Sequence, residues 1–430
     1  MDRSALALRG LNLSAAGMDT GLGAFLPVYL ATNGWTHAQI GIAISLAIAS
    51  ALVVQIPGGL LLDYLPRKRI AAAVFIVLVA GTAIAMALMP SYYAVLGAQI
   101  VQGAADSLLA PTIAALTLSL AGRATLGERF GSNVRYAALG GMGAAAGMGL
   151  LGSFAAEWVL YASAALGVVA LGMLMLMRRD DLRLPVVAPV IRPAVQRLAV
   201  PSAKRGGELG QSVWTLLRDR RFLVFVGAMA IYQLGSASLM PIATNEWSSQ
   251  LGAHSNLLVA VAVMLHQGLS ASISPWFGRL AERVGRRRIL LIGFGVLPLR
   301  AVCFAATGNP YLEMLAQGLD GLSGAAFGVM VPLMVADITK QSGRFNLVMG
   351  CMGVLGAVGA AVGNLCGGWL ADTCGSSLTF MMMAGAGVAA FAMIAILMPD
   401  TNGTKTQTTG SLGHGAANFG RGATIGAAPC

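Results

Sequence analysis

The chain has 430 residues, of which 57% are hydrophobic and only 10% are charged, and its mean hydropathy is +0.74. A soluble domain usually carries about 25% Asp, Glu, Lys and Arg, so this composition excludes a soluble protein with a single membrane anchor and indicates a polytopic membrane protein. The five cysteines have no paired spacing, which excludes a disulfide scaffold and a zinc ribbon.

Twelve apolar stretches follow one another along the chain, each near the ~20 residues that a helix needs to cross hydrocarbon. Asp19 interrupts the first stretch, which we therefore expect to be a membrane helix and not a signal peptide. The predicted transmembrane helices cover 10–31, 40–62, 70–89, 93–118, 133–153, 157–177, 222–243, 257–277, 289–307, 311–336, 346–370 and 377–398.

One polar region lies between the sixth and seventh apolar stretches, and a second follows the last stretch. Residues 178–221 contain ten Lys or Arg and four prolines and are predicted to form a soluble cytoplasmic linker. Residues 400–430 are rich in Gly, Thr, Ser and Asn, and we predict a disordered cytoplasmic tail.

The positions of the charges indicate the orientation in the membrane. If both termini are cytoplasmic, all but one of the 28 basic residues lie on the inner side. The short outer loops carry only acids, namely Glu157, Glu246, Glu313 and Asp372. This pattern follows the positive-inside rule and predicts cytoplasmic termini in a plasma membrane of the bacterial inner-membrane type. It also accounts for the net charge of +11, so no nucleic-acid partner is expected.

An internal repeat relates the two halves of the chain. The segment from Gly59 through Asp63 to Arg67 aligns without gaps with the segment from Gly278 through Glu282 to Arg286. Three further pairs of short segments match in the same order. We therefore predict an all-α protein of two homologous six-helix bundles, 1–177 and 222–399.

At these positions the sequence resembles the major facilitator superfamily, over roughly residues 1–399. The resemblance implies a monomer whose central cavity is lined by helices 1, 4, 7 and 10. It also implies a cytoplasmic gate in the loop after helix 2 and in its repeat after helix 8. The gate residues would be Gly59, Asp63, Arg67, Gly278, Glu282 and Arg286. Pro66 stands where the family usually has glycine, and the alternative is that the basic runs only set the topology.

Four charged residues fall inside predicted helices, where a charge costs several kcal/mol unless it is paired or functional. An acid held away from water binds a proton more readily, as a proton carrier must. Asp19 in helix 1 is therefore a candidate proton carrier, and the resemblance to drug and metabolite antiporters supports that role. The alternative is an acid that only caps or hydrogen-bonds a neighbouring helix. Asp106 in helix 4 either faces the cavity or satisfies backbone groups freed at Pro111.

The other two intramembrane charges, Arg300 and Asp320, flank Pro310 almost symmetrically. They should lie at similar depth on adjacent antiparallel helices, and we predict an ion pair that is either static or exchanged during transport. His266 in helix 8 could relay protons or could simply be hydrogen-bonded to its neighbours. The predicted cavity set is completed by Gln102 in helix 4 and Gln233 in helix 7.

Glycines at four-residue spacing predict faces where helix backbones touch. They are Gly143 and Gly147 in helix 5, and Gly359, Gly363 and Gly367 in helix 11. In the resembled fold, helices 5 and 11 cross to helices 8 and 2 at the interface between the halves.

The chain contains no phosphate-binding Gly-x-x-x-x-Gly-Lys-Ser/Thr loop, no Ser-His-Asp arrangement and no metal-ligand spacing. We therefore expect neither an enzyme nor a cofactor.

The leading interpretation is a proton-coupled secondary transporter of a small organic solute, with export by antiport favoured. A proton-symport importer is the alternative, because helix 5 lacks the proline of the antiporter pattern and Gln99 stands where helix 4 usually has arginine. A non-transporting membrane sensor is a third possibility. The expected partners are the small-molecule substrate, protons and membrane lipids.

Overall fold

The computed structural model describes residues 3–65, 67–120, 126–177, 220–338 and 345–398, which are almost entirely helical and contain no strand. In chain order the helices are α1 (Arg3–Thr20, continued by a π turn, Gly21–Phe25, and by Leu26–Thr32), α2 (His37–Tyr64), α3 (Lys68–Leu88), α4 (Tyr92–Leu120), α5 (Leu126–Phe154), α6 (Glu157–Leu176), α7 (Arg220–Ala237 and Leu239–Leu251), α8 (Ser255–Val284), α9 (Arg286–Thr307), α10 (Pro310–Gly318 and Asp320–Ile338), α11 (Phe345–Cys374) and α12 (Ser376–Leu397).

Ten segments of the described residues are long and apolar enough to cross a membrane. One of them, Arg220–Phe277, contains α7 and most of α8, while α1 is not among them because polar residues such as Arg9 and Asp19 lower its hydropathy. The prediction of an all-α polytopic membrane protein is confirmed. Twelve crossings and cytoplasmic termini stay predictions. Residues 178–219 and 399–430, which hold nearly all of the predicted linker and tail, lie outside the described residues.

Two apolar cores underlie the two groups of six helices. The first is built from residues of α1–α6, such as Leu11, Ile76 and Leu160. The second is built mainly from α7–α12, around side chains such as Phe225 and Phe294, and it also takes a few residues from α1 and α5. Each group therefore packs as a bundle, and part of the second core lies between the bundles.

Three helix pairs make the largest contacts between the bundles in the described residues. α2 packs along α11, and α5 packs along α8. Leu26–Thr32 of α1 packs against Leu239–Leu251 of α7, at the end of the protein that is predicted to face outside and is here called the outer end. The predicted crossings of helices 5 and 11 with helices 8 and 2 are therefore confirmed. At the α2–α11 crossing the backbones are in direct contact, since a Cβ at Gly41 would clash with the Asn364 carbonyl and one at Gly368 with the His37 carbonyl. The outer ends of the two bundles are thus held together.

The predicted glycine face of α11 packs tightly, but against α7. A Cβ at Gly359 would clash with the carbonyl oxygen of Ala230, and one at Gly363 with that of Leu234. Gly367 lies in the same way against Ser238. Small residues allow this backbone approach, which favours van der Waals contact between membrane helices. α7 and α11 are therefore locked together within one bundle.

The residues predicted to form the contact face of α5 are not the ones that touch another helix. A Cβ at Gly143 or Gly147 would meet no atom within 4 Å, because both positions lie on the exposed face of α5. The glycines that approach α8 are Gly141, Gly149 and Gly152, which lie against Gln267, Ala260 and Asn256 respectively. The four-residue spacing correctly placed Gly143 and Gly147 on one face of α5. That face is not the one that packs against α8.

This contrast gives a matched pair of substitutions. Gly363→Ala should destabilise the protein by about 1–3 kcal/mol, because the new methyl group overlaps a backbone carbonyl that cannot rotate away. Gly143→Ala adds the same methyl group in open space and should leave stability unchanged. Thermal unfolding of both purified variants in the same detergent measures the difference. Equal melting temperatures would contradict the close α7–α11 contact.

A tight turn sets the relative depth of the charges on α9 and α10. Gly308 ends α9 with φ at +56°, in the left-handed region that favours glycine. The Asn309 side chain then accepts a hydrogen bond from the Tyr311 backbone N–H at 3.0 Å, and Pro310 is the first residue of α10. This short connection makes α9 and α10 antiparallel neighbours.

Candidate functional site

The acids of the first bundle lie on α1 and α4. Asp19 is near the middle of α1, two residues before the π turn Gly21–Phe25, and it is exposed although the surrounding helix is largely buried. Irregular turns of this kind inside helices often occur at functional sites. Asp106 is half-buried and lies close enough to Asp19 for the two charges to interact. Neither carboxylate forms an ion pair with a basic side chain of the described residues.

The position of Asp106 bears on its two predicted roles. Pro111 lacks an N–H and so frees a carbonyl oxygen one turn earlier in α4. An ionised carboxylate only accepts hydrogen bonds and cannot satisfy a carbonyl. In the described residues Asp106 makes no hydrogen bond to this stretch, whereas it interacts with Asp19. The geometry therefore favours the cavity role over the backbone role.

Gln102 on α4 is paired with a second glutamine. Its side chain is only 8% exposed and accepts a hydrogen bond of 3.0 Å from Gln99 Nε2. Gln99 is also buried and lies 3.6 Å from the sulfur of Met86 on α3. Glutamines three residues apart share one face of a helix. Both glutamines of this pair are buried, so they pack inside the first bundle. Gln102 is thus a buried residue of the first bundle, and its place in the cavity set stays a prediction.

The predicted ion pair of the second bundle is present. Arg300 Nη1 lies 2.5 Å from Asp320 Oδ1, and the Arg300 side chain is 1% exposed while that of Asp320 is 23% exposed. His266 Nδ1 on α8 lies 3.5 Å from the other carboxylate oxygen, Oδ2. Arg300 Nη2 donates a hydrogen bond of 2.8 Å to Ser236 Oγ on α7. Four helices of the bundle therefore meet in one polar network.

Sequence reasoning missed two members of this site. Ser236 follows Gln233 by three residues and therefore lies on the same side of α7, a spacing that could have revealed it. Tyr232 is buried on α7, and its hydroxyl lies within electrostatic range of both Arg300 and Asp320. Gln233 itself is half-buried beside Gly356 of α11, and the network does not include it.

The predicted cytoplasmic gate is described only in part. The side chains of Asp63 and Glu282, and the positions of Gly59 and Gly278, lie outside the residues whose contacts are described. Arg67 is exposed. Arg286 donates a hydrogen bond of 2.7 Å from Nη1 to the Leu333 carbonyl of α10. The gate role of this set stays a prediction.

The basic runs also bond to the ends of other helices in their own bundle. Arg69 donates to the carbonyls of Met175 and Met177, at 2.9 and 3.0 Å, where α6 ends. Arg287 donates in the same way to the Ala395 carbonyl near the end of α12. The last carbonyls of a helix lack intrahelical partners, so these arginines satisfy groups that would otherwise be unpaired. The repeated loops therefore stabilise each bundle as well as carrying inner-side charge.

The two bundles thus differ in their charges. The first offers two carboxylates that have no basic partner among the described residues, one of them exposed in mid-helix. The second offers a carboxylate shared between a buried arginine and a histidine. Such a pair of sites can bind protons or a cation on one side and hold a neutral, hydrogen-bonded network on the other.

Comparison with known proteins adds the family context. The family described as Major Facilitator Superfamily matches residues 10–266 and 225–417 of this chain. An uncharacterized MFS-type transporter of Mycobacterium tuberculosis is 31% identical over 407 residues, which cover 93% of this chain and 94% of that protein. The class B tetracycline resistance protein of Escherichia coli is 24% identical over 166 residues, 39% of this chain and 40% of that protein. The crystal structure of the nucleoside transporter NupG has a TM-score of 0.74 at 16% identity, covering 93% of this chain and 100% of that one. At that identity the likeness extends to the fold alone.

Proposed function

Since the chain belongs to the major facilitator superfamily, we propose that it exports a small organic solute in exchange for protons by alternating access. Membership makes it a transporter and not an enzyme, and its apolar helices make it an integral, multi-pass membrane protein. A bacterial inner membrane fits its bacterial relatives. Proton coupling, direction and substrate class are the proposed elements.

The observation that carries the proposal is the position of Asp19. A mid-membrane carboxylate is costly unless it is paired or functional. Asp19 is exposed at the π turn of α1, has no basic partner among the described residues and interacts with Asp106. The outer ends of the bundles are in contact, so solvent would reach this carboxylate from the inner side. A proton that has crossed from outside could be released there.

Two acids that have no basic partner in the described part of the chain also support a class of substrate. A cationic or polar solute would be attracted to Asp19 and Asp106, and a proton on either acid would remove that attraction. Solute and proton would then bind in turn to the same carboxylates. Mutually exclusive binding of this kind couples the two gradients, provided that the carrier reorients only with a solute or a proton bound.

Export is favoured over import by the similarity to a tetracycline resistance protein. Import by proton symport remains the second candidate, and the composition of α4 and α5 supports it. α5 has no proline, and α4 has Gln99, bonded to Gln102, where the antiporter pattern of the family carries an arginine. Proton coupling through an arginine at that position is not available to this chain.

The predicted gate residues and the Arg300–Asp320 pair have roles in the proposed transport cycle. The loops after α2 and α8 would close the cytoplasmic side, with the acids Asp63 and Glu282 opposing the basic runs at Arg67 and Arg286. The Arg300–Asp320 pair would either hold α9 and α10 in place or open when Asp320 takes a proton. The protein is proposed to act as a monomer.

The test uses inverted membrane vesicles in which respiration acidifies the interior and a pH-quenched dye reports it. Antibiotics, dyes, sugars, amino acids and organic acids are added one at a time. We expect at least one cationic or polar compound to release the quench as it exchanges for internal protons. Vesicles from the same strain without the protein are the control.

A compound that releases the quench only when the protein is present identifies the substrate class. If no compound does so, uptake of labelled solutes into whole cells with an inward proton gradient separates the two transport directions. Proton-driven uptake in that assay would show that the function is import by symport and not export. The absence of both activities would leave the sensor interpretation.

A further inference from the structure

Three titratable side chains, those of His37, Glu246 and Asp372, meet at the outer end of the protein. His37 is the first residue of α2 and so belongs to the first bundle. Glu246 on α7 and Asp372 on α11 belong to the second bundle. None of the three belongs to the cavity set or to the cytoplasmic gate.

The imidazole of His37 lies between the two carboxylates. His37 Nδ1 is 3.0 Å from Asp372 Oδ1, and His37 Nε2 is 3.4 Å from Glu246 Oε1. Ser376, at the start of α12, donates a hydrogen bond to the same Glu246 oxygen and so orients that carboxylate towards the histidine. The histidine side chain is 17% exposed, which leaves a path to the outside solution while screening is reduced.

Asp372 makes a second kind of contact with the first bundle. Its Oδ1 accepts the backbone N–H of His37 at 3.0 Å, and its Oδ2 accepts that of Ala38 at 2.8 Å. These are unpaired donors of the first turn of α2, so a residue of one bundle caps a helix of the other. A carboxylate is favoured there by the helix dipole as well.

We propose that His37 is a proton-binding site on the outer face, and that its bound proton holds the two bundles together there. A neutral imidazole can donate to only one of its two carboxylates, whereas the protonated ring donates to both. Outward opening must separate His37 from both acids, since they lie on different bundles. External pH therefore sets how readily the outer end opens.

The surrounding charges give the sign of this effect. The titratable groups of the described residues that face His37 are Glu246 from α7 and Asp372 from α11. Glu313 on α10 interacts with Glu246 but is bonded to Trp247 Nε1 at 2.7 Å. Two nearby anions favour the charged, protonated form of the histidine in the closed state. Lowering the external pH should therefore favour the closed outer end, and raising the external pH should allow the outer end to open.

This inference requires only that the outer end opens, and it depends neither on Asp19 nor on the direction of transport. Its test is therefore a distance measurement and not a transport assay. Spin labels are placed at Ser91, in the outer loop after α3, and at Ser249, near the outer end of α7, both of which are exposed. The five native cysteines are replaced by serine, and the protein is studied in lipid nanodiscs.

Pulsed electron paramagnetic resonance then reports the separation of the two bundles. Between pH values of about 5.5 and 8.5, on either side of the ordinary titration range of histidine, we expect the fraction of long distances to rise roughly threefold to tenfold. His37→Gln keeps a polar side chain without titration and should show the same large open fraction at both pH values. Glu246→Gln leaves the cap on α2 intact and should reduce the pH-dependent change.

A matched control comes from the same side of the protein. His254 is exposed in the outer turn Gly252–His254 and forms no ion pair with the described residues. His254→Gln should behave like the parent. Distances that do not respond to pH in the parent, or a full response retained in His37→Gln, would overturn the proposal.

Discussion

Replacement of Asp19 by asparagine is expected to reduce proton-driven transport to the rate of vesicles that lack the protein. Asparagine keeps the size of the side chain but cannot carry a proton or a negative charge. Asp19 is the exposed acid in the middle of α1, and no basic side chain of the described residues neutralises it. The measurement is dye dequenching in inverted vesicles, with a compound that is active on the parent protein.

The control for this variant is Glu157→Gln, the same acid-to-amide change at the first residue of α6, where the acid is exposed and is predicted to lie on the outer side. It should transport at the parent rate. Both variants should elute from a sizing column in detergent as the parent does, because Asp19 makes no ion pair with the residues that the structure describes. Uphill transport by Asp19→Asn at the parent rate would remove Asp19 from the mechanism.

Arg300→Met should be the most destabilising of the substitutions considered, at about 3–5 kcal/mol, because it leaves Asp320 as a largely buried charge. His266, 3.5 Å from Asp320, offers only partial compensation. The control is Arg288→Met, which makes the same change on the exposed first turn of α9 and should be nearly neutral. Thermal unfolding in detergent, compared across the variants, measures the effect.

The double variant Arg300→Met with Asp320→Leu distinguishes a static pair from a switching one. Replacing both members of a buried ion pair by apolar side chains is often neutral for stability. If the pair only holds α9 against α10, the double variant should recover both stability and transport. Recovery of stability without transport would show that Asp320 exchanges its partner during the cycle. Failure to recover stability would mean that Ser236 and Tyr232 depend on Arg300 for their own packing.

The residues that sequence reasoning placed correctly are those whose relation is local. Arg300 and Asp320 lie on either side of one short turn, so equal spacing from Pro310 predicts equal depth and hence a pair. The glycines of α11 were correctly expected to touch another backbone, because small residues at four-residue spacing share a face.

The failures concern the direction in which a helix face points. Gly143 and Gly147 share a face of α5, but that face is exposed. Helical spacing does not say which neighbour a face meets. The pairing of His37 with Asp372 could not be predicted either, since 335 positions separate them and only the docking of the two bundles brings them together.

The unequal charge of the two bundles has a consequence for the energy source of the cycle. The Arg300–Asp320 pair adds no net charge to the moving protein, whereas Asp19 and Asp106 together can carry two. An elementary charge that crosses the membrane electric field changes in energy by about 2.3 kcal/mol per 100 mV. In the proposed exchange the carrier returns with its acids protonated and uncharged, and the ionised acids cross the field only when a solute is bound to them. The half of the cycle that carries the solute should therefore respond to the electrical potential across the membrane even when the pH is equal on both sides, most strongly when the solute is uncharged.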